Sequence, residues 1–170
     1  MTRSDATVEF CTFAYDSSRG SNGGAIDLRA GTTTTAANNT FYRCHVPVSS
    51  IGSAILVNGG TLTAYGNVAV ECERAFAAPV ATVTLDSGCN LFWGNTENYS
   101  FWPEEATLTD IVADPEFCNP GLLDFTVRDS SPASSANSGG CGQIGAHGVG
   151  CGSVSIKPTT WGRIKNSYRE

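Results

Sequence analysis

The stretch Asn39-Thr-Phe-Tyr-Arg-Cys44 returns as Asn67-Val-Ala-Val-Glu-Cys72 and again as Asn90-Leu-Phe-Trp-Gly-Asn95. A looser copy, Cys11-Thr-Phe-Ala-Tyr-Asp16, precedes them. The copies start 28, 28 and 23 residues apart (39−11, 67−39, 90−67). A second phrase, Gly23-Gly-Ala-Ile26, comes back 29 residues on (52−23) as Gly52-Ser-Ala-Ile55. Self-similarity at a period of roughly 20 to 50 residues marks a chain built of stacked units.

A unit of ~25 residues has room for three short strands and three turns, at about 3.3 Å per residue. The apolar runs suit this. Ala54-Ile-Leu-Val57, Val68-Ala-Val70 and Val80-Ala-Thr-Val-Thr-Leu85 are short and bounded by Gly, Asn or Asp, which is the signal for strands. No long stretch keeps a helical apolar period. A leucine-rich horseshoe needs Leu at fixed offsets, and Leu is scarce here; a propeller needs a longer period. The expected fold is therefore all-β: a right-handed parallel β-helix, a solenoid of about four coils, followed by an irregular closing segment. The expected divisions are coils over 1–112, a closing segment over 113–152 and a tail over 153–170.

The register gives the repeated positions physical meaning. Phe13, Phe41, Ala69 and Phe92 share one slot, which predicts an aromatic stack along a narrow core. Asn39, Asn67 and Asn90 share another. Asn tolerates left-handed backbone at a bend, and its amide can bond the amide of the next coil, so the row predicts a turn ladder.

Composition narrows the function. The net charge is −6 with only ten Lys or Arg among 170 residues, which argues against nucleic acid or an anionic membrane surface as partner. No apolar run approaches the ~18 residues of a membrane span. Seven cysteines beside a single Met point to an oxidising compartment. Met1-Thr-Arg-Ser-Asp5 leads at once into strand-like sequence, and the first repeat starts mid-turn. The expectation is the C-terminal part of a longer exported protein, because an uncapped stack exposes a core layer.

The later sequence carries a resemblance. Asp114-Pro-Glu-Phe117, Asp124-Phe-Thr-Val127, Ser130-Ser-Pro-Ala133 and Gly142-Gln-Ile-Gly-Ala146 together resemble the closing segment of secreted bacterial right-handed β-helix proteins. The Gly-Gly-Ala-Ile and Asn-x-Phe phrases resemble the coils of that family and of polymorphic surface proteins. The resemblance covers about residues 8 to 152. It implies this fold and a secreted or cell-surface location, and leaves activity open. Trp161-Gly-Arg-Ile-Lys165 looks like the short C-terminal segments of similar exported proteins. A sorting element and a plain tail are both open readings there.

For the cysteines, Cys141 and Cys151 flank a nine-residue Gly-rich loop and are expected to pair; Cys89 and Cys118 are the second expected pair. Cys44 and Cys72 share a slot, so either a bridge or two packed thiols fits. Cys11 is left over. Cys141-x5-His147-x3-Cys151 lacks a fourth zinc ligand, and no coil clusters the Asp residues that calcium needs. No metal and no cofactor are expected.

One cluster has a geometric basis. Arg43 stacks on Glu71 and His45 on Glu73, each 28 residues apart (71−43, 73−45). Paired carboxylates suit glycoside hydrolysis, and an Arg or His beside acids suits a polysaccharide lyase. Opposite charges on neighbouring strands are also an ordinary sheet ladder, and that reading is preferred. Trp93, Tyr99 and Trp102 form an aromatic group that can stack on a sugar or cap the last coil. Asp114 and Glu116 fall in the closing phrase and are read as structural, and no G-x-S-x-G nucleophile motif occurs. The expected role is a non-catalytic surface or secreted module, structural, adhesive or glycan-binding. The alternative is a β-helix lyase or hydrolase.

Overall fold

A computed structural model describes residues 4–17, 24–46, 51, 53–80, 82–101 and 109–151. The tail over 153–170 and Trp102 lie outside the described residues. The described chain is all-β. Its strands are β1 (Ser4–Glu9), β2 (Thr12–Ala14), β3 (Gly24–Arg29), β4 (Thr32–Ala37), β5 (Thr40–Tyr42), β6 (Ser53–Asn58), β7 (Gly60–Tyr65), β8 (Val68–Val70), β9 (Arg74–Ala77), β10 (Val83–Gly88), β11 (Leu91–Trp93), β12 (Glu97–Ser100), β13 (Ile111–Val112), β14 (Phe117–Asn119) and β15 (Asp124–Val127). Among the described residues no helix is long and apolar enough to cross a membrane.

Three parallel sheets account for β1 to β13. They run β1-β4-β7-β10, β13-β11-β8-β5-β2 and β12-β9-β6-β3. From β1 to β12 the chain visits the sheets in a constant order, so each strand pairs with the strand three places on, and β13 then pairs with β11. The repeated phrase forms the second sheet. Phe13 pairs with Phe41, Phe41 with Ala69, and Ala69 with Phe92, as the spacing requires.

These side chains face the main core, with Leu62, Ile55, Val57 and Phe76. Burying each large apolar side chain contributes roughly 1.5–3 kcal/mol. The aromatic stack is not continuous. Phe13 and Phe41 lie face to face at 5.1 Å, Ala69 interrupts the row, and Phe92 meets Phe76 of the third sheet edge-on at 5.4 Å.

The Asn row is a hydrogen-bonded ladder. Oδ1 of Asn67 accepts from both N and Nδ2 of Asn39, and Oδ1 of Asn90 does the same for Asn67. Nδ2 of Asn67 donates to Ala36 O at 2.8 Å. The ladder ends on Asp110, whose Oδ1 accepts from Asn90 N at 2.8 Å. The left-handed backbone sits one residue earlier than the Asn itself, at Asn38, Gly66 and Cys89, and at Phe10 before Cys11 in the first copy, with φ between 51° and 65°. The Asn side chains fill a buried corner and satisfy backbone groups that the bend leaves without partners.

The closing segment folds over the outer face of the second sheet. Tyr42, Val68, Val70 and Leu91 point outward there and pack against Phe125, Val127, Ala133 and Ile144. The closing phrases serve this packing. Ile144 is fully buried, and Gly145 lies so close to the sheet that a Cβ would come within 2.8 Å of Val68. Gly145 N donates to Gly66 O, and Ala146 N donates to Thr40 Oγ1. Ser131 Oγ donates to Pro115 O and accepts from Ala133 N. β14 and β15 pair as an antiparallel hairpin.

The disulfide partners differ from the sequence expectation. Cys89 bonds Cys141, and Cys118 bonds Cys151; Cys141 does not pair with Cys151, nor Cys89 with Cys118. The reason is the path of the closing segment. Cys141 runs beside Thr109, whose hydroxyl also binds Cys89 N, so it meets the last turn of the sheets. Cys151 N reaches Val127 O on β15, which places it next to Cys118 on β14. Closeness in sequence misjudged both neighbours. Cys44 and Cys72 are buried free thiols, and Cys11 is an exposed one.

Candidate functional site

An open groove of about 540 Å³ lies where the second sheet meets the closing segment. One wall comes from the sheet: Tyr42, Val70, Glu71 and Trp93. The other comes from Asp114–Phe117 with Pro120, Arg128 and Ser130. The sheet wall is a consequence of register. Tyr42 and Val70 are outward residues at the ends of β5 and β8, and the chain turns directly after them. The turn residues Tyr15, Arg43, Glu71 and Gly94 share one slot and all have positive φ, from 53° to 65°. Their backbones stack: Tyr15 N donates to Tyr42 O, Arg43 N to Val70 O, and Glu71 N to Trp93 O, each at 2.9 Å.

Arg43 and Glu71 form the ion pair that the spacing predicts, with Nε 2.5 Å from Oε2. Both side chains are less than half exposed, 43% and 44%. The guanidinium also lies over the rings of Tyr42 and Tyr15, at 5.1 Å and 5.9 Å. The hydrogen bond to Glu71 raises the Arg43 pKa above its ordinary value. Burial raises that of the Tyr42 phenol, and the nearby Glu71 charge adds to this. Tyr42 is clamped from behind by Phe125 at 5.3 Å and Phe117 at 6.4 Å. The closing segment thus fixes the floor of the groove.

The other expected pair does not form a site. His45 is exposed and its N donates to Asp16 O. Glu73 uses its carboxylate to accept Val46 N at 3.2 Å. Neither lines the groove. The shared slot aligns the two backbones, but the Glu73 side chain caps the chain instead of meeting the imidazole.

The aromatic group also separates. Trp93 is 43% exposed and lines the groove. Tyr99 belongs to the core, packed edge-on to Phe76 and Phe92, and its hydroxyl donates to Asp110 at 2.6 Å. Burial, then that bond, raises its pKa. It packs against the core and does not line the groove.

Sequence reasoning missed the far wall. Asp114 Oδ1 accepts Glu116 N at 2.8 Å, and Glu116 Oε2 accepts the Ser130 hydroxyl. Both acids line the groove, close to Glu71 on the opposite wall. Their place in the closing phrase marked them as structural, and they are, yet the same fold turns them to the groove. No local signal identifies Arg128 as a lining residue. The groove therefore combines one accessible indole, three carboxylates and one guanidinium. One oxygen of each carboxylate is engaged by the protein. Such a surface suits hydroxyl-rich ligands, which stack on an indole and donate to carboxylates.

No family model, curated protein or solved structure matches the chain.

Proposed function

We propose that this chain is a right-handed parallel β-helix of about four coils that serves as a non-catalytic glycan-binding module of a secreted or cell-surface protein. Three parallel sheets visited in constant order support the architecture. The hand follows from the strong right-handed preference of parallel crossover connections, about 98%. Two disulfides support an oxidising location, where such bonds persist. The binding role is carried by the groove that Trp93 and the acids Glu71, Asp114 and Glu116 line. Those carboxylates already have protein partners: Arg43, the Glu116 backbone and Ser130. A held, hydrogen-bonded carboxylate is suited to orienting a sugar hydroxyl more than to shuttling protons.

The test is a glycan array containing neutral and acidic polysaccharides, followed by titration of the best ligand. Trp93→Ala should weaken binding at least tenfold, roughly 1.4 kcal/mol. A silent array, or equal affinity after that change, overturns the reading. A parallel turnover assay with Glu71→Gln as control separates it from a hydrolase or lyase. Cleavage abolished by Glu71→Gln would make the groove an active site.

A further inference from the structure

The Arg43–Glu71 turn has a pair of thiols directly behind it. Cys44 and Cys72 follow those two residues in the chain, each is 2% exposed, and neither is in a disulfide. The two chain segments run in register: Tyr42 pairs with Val70, Arg43 N donates to Val70 O, and Glu73 N donates to Cys44 O. Neighbouring strands lie about 4.8 Å apart, inside the roughly 4.4–6.8 Å between Cα atoms that a disulfide spans. Both side chains lie in the main core cluster. The same slot in the flanking repeats holds Asp16 and Asn95, and Asn95 Oδ1 accepts Cys72 N at 2.9 Å. The slot thus suits residues that bond a neighbouring backbone. The thiols do this poorly, reaching Phe13 O at 3.7 Å and Val70 O at 3.5 Å. Two weak donors side by side leave covalent chemistry as the distinctive capacity of this pair.

We propose that Cys44 and Cys72 are a redox modification site, closing an inter-strand disulfide when the folded chain meets a small-molecule disulfide. Cys72 is the attacking group, because the neighbouring Cys44 thiol lowers its pKa. The Cys72 side chain, then burial, raises that of Cys44. The Cys72 thiolate attacks one sulfur of the oxidant and releases one small thiolate. Cys44 then loses its proton to that thiolate, and its sulfur displaces the second small thiolate from the mixed disulfide. That second thiolate takes up the proton that Cys72 released to solvent. Two protein thiols become one S–S bond, and one oxidant becomes two thiols. Burial makes the first step slow, since it waits on opening of the turn. The bridge joins neighbouring repeats beneath Glu71 and so stiffens one wall of the groove. It stands apart from what the groove binds.

The experiment titrates Cys11→Ser, which lacks the exposed thiol, with oxidised glutathione. Thiols are counted after denaturation, and linked peptides are mapped without reductant. The expected result is loss of both thiols per oxidant consumed. The Cys44 and Cys72 peptides should be joined, with Cys89–Cys141 and Cys118–Cys151 retained. The product should melt several degrees higher than the unbridged chain. A bridge already present in the chain as purified supports the proposal equally. Two thiols still alkylated after denaturation at every oxidant ratio would overturn it, as would a stable mixed adduct on either cysteine. If Cys11→Ser does not fold, the native chain with Cys11 blocked by alkylation answers the same question.

Discussion

Asn39 and Asn67 are joined by two hydrogen bonds to one atom: Oδ1 of Asn67 accepts Asn39 N at 3.1 Å and Asn39 Nδ2 at 3.0 Å. Both residues are at most 1% exposed. Asn67 repeats the arrangement toward Asn90 and donates to Ala36 O as well. One side chain therefore settles polar groups of two neighbouring turns. Asn67→Ala should leave Asn39 N and Ala36 O without their Asn67 partner in a dry corner, while Asn39 Nδ2 keeps its bond to Val8 O. Each buried group without a partner costs about 1–3 kcal/mol, so a loss of roughly 2–5 kcal/mol is expected in urea unfolding. A change under 1 kcal/mol would show that the ladder is decorative.

The disulfides join different things. Cys89–Cys141 spans 52 residues and ties the closing segment to the sheets, while Cys118–Cys151 spans 33 and lies within the closing segment. Loop closure of these lengths contributes about 2–4 kcal/mol each. The double change Cys89→Ser with Cys141→Ser should lower the midpoint and expose Tyr42 and Val68 to solvent. Hydrogen exchange should show the second sheet losing protection first. Non-reducing peptide mapping that found Cys141 bonded to Cys151 would contradict the pairing.

Glu71 separates fold from site. It holds left-handed backbone at φ 53°, and the equivalent slot one repeat on is Gly94. Glu71→Gly relieves a strain of about 1–2 kcal/mol. It also incurs about 0.5–1 kcal/mol of glycine backbone entropy, and loses a half-exposed ion pair that contributes little in water. Stability should stay within about 1 kcal/mol of the parent. Glycan affinity should fall, because the groove loses a carboxylate and the anchor of Arg43. A large drop in melting temperature would show that the ion pair holds the turn.

Acid should act on the hairpin through Asp124. Its carboxylate accepts Thr126 N at 3.1 Å and the Thr126 hydroxyl, and these bonds lower its pKa below 3.8. A folded-state pKa below the unfolded one gives stability that is present above the unfolded value. That stability is lost as pH falls through the folded value. The melting-temperature gap between the native chain and Asp124→Asn should thus be widest at neutral pH and close progressively below pH 3.8. A gap that did not change with pH would assign the effect to shape, not charge.

Period and register were legible in the sequence because parallel strands repeat at fixed spacing: a slot shared in sequence is a slot shared in space. That places Phe13, Phe41, Ala69 and Phe92 in one row, Asn39 over Asn67, and Arg43 beside Glu71. Side-chain direction beyond a turn was not legible. Glu73 bends back to Val46 instead of meeting His45, and Tyr99 turns into the core while Trp93 turns out.

The closing segment has no such period, so only the tertiary structure decided its path. Its packing over Tyr42 and Val68 set the disulfide partners and brought Asp114, Glu116 and Arg128 opposite Glu71. Local spacing determines contacts that repeat along one axis. The groove depends on contacts between segments far apart in the chain, and those are fixed by burial of the sheet's outer face.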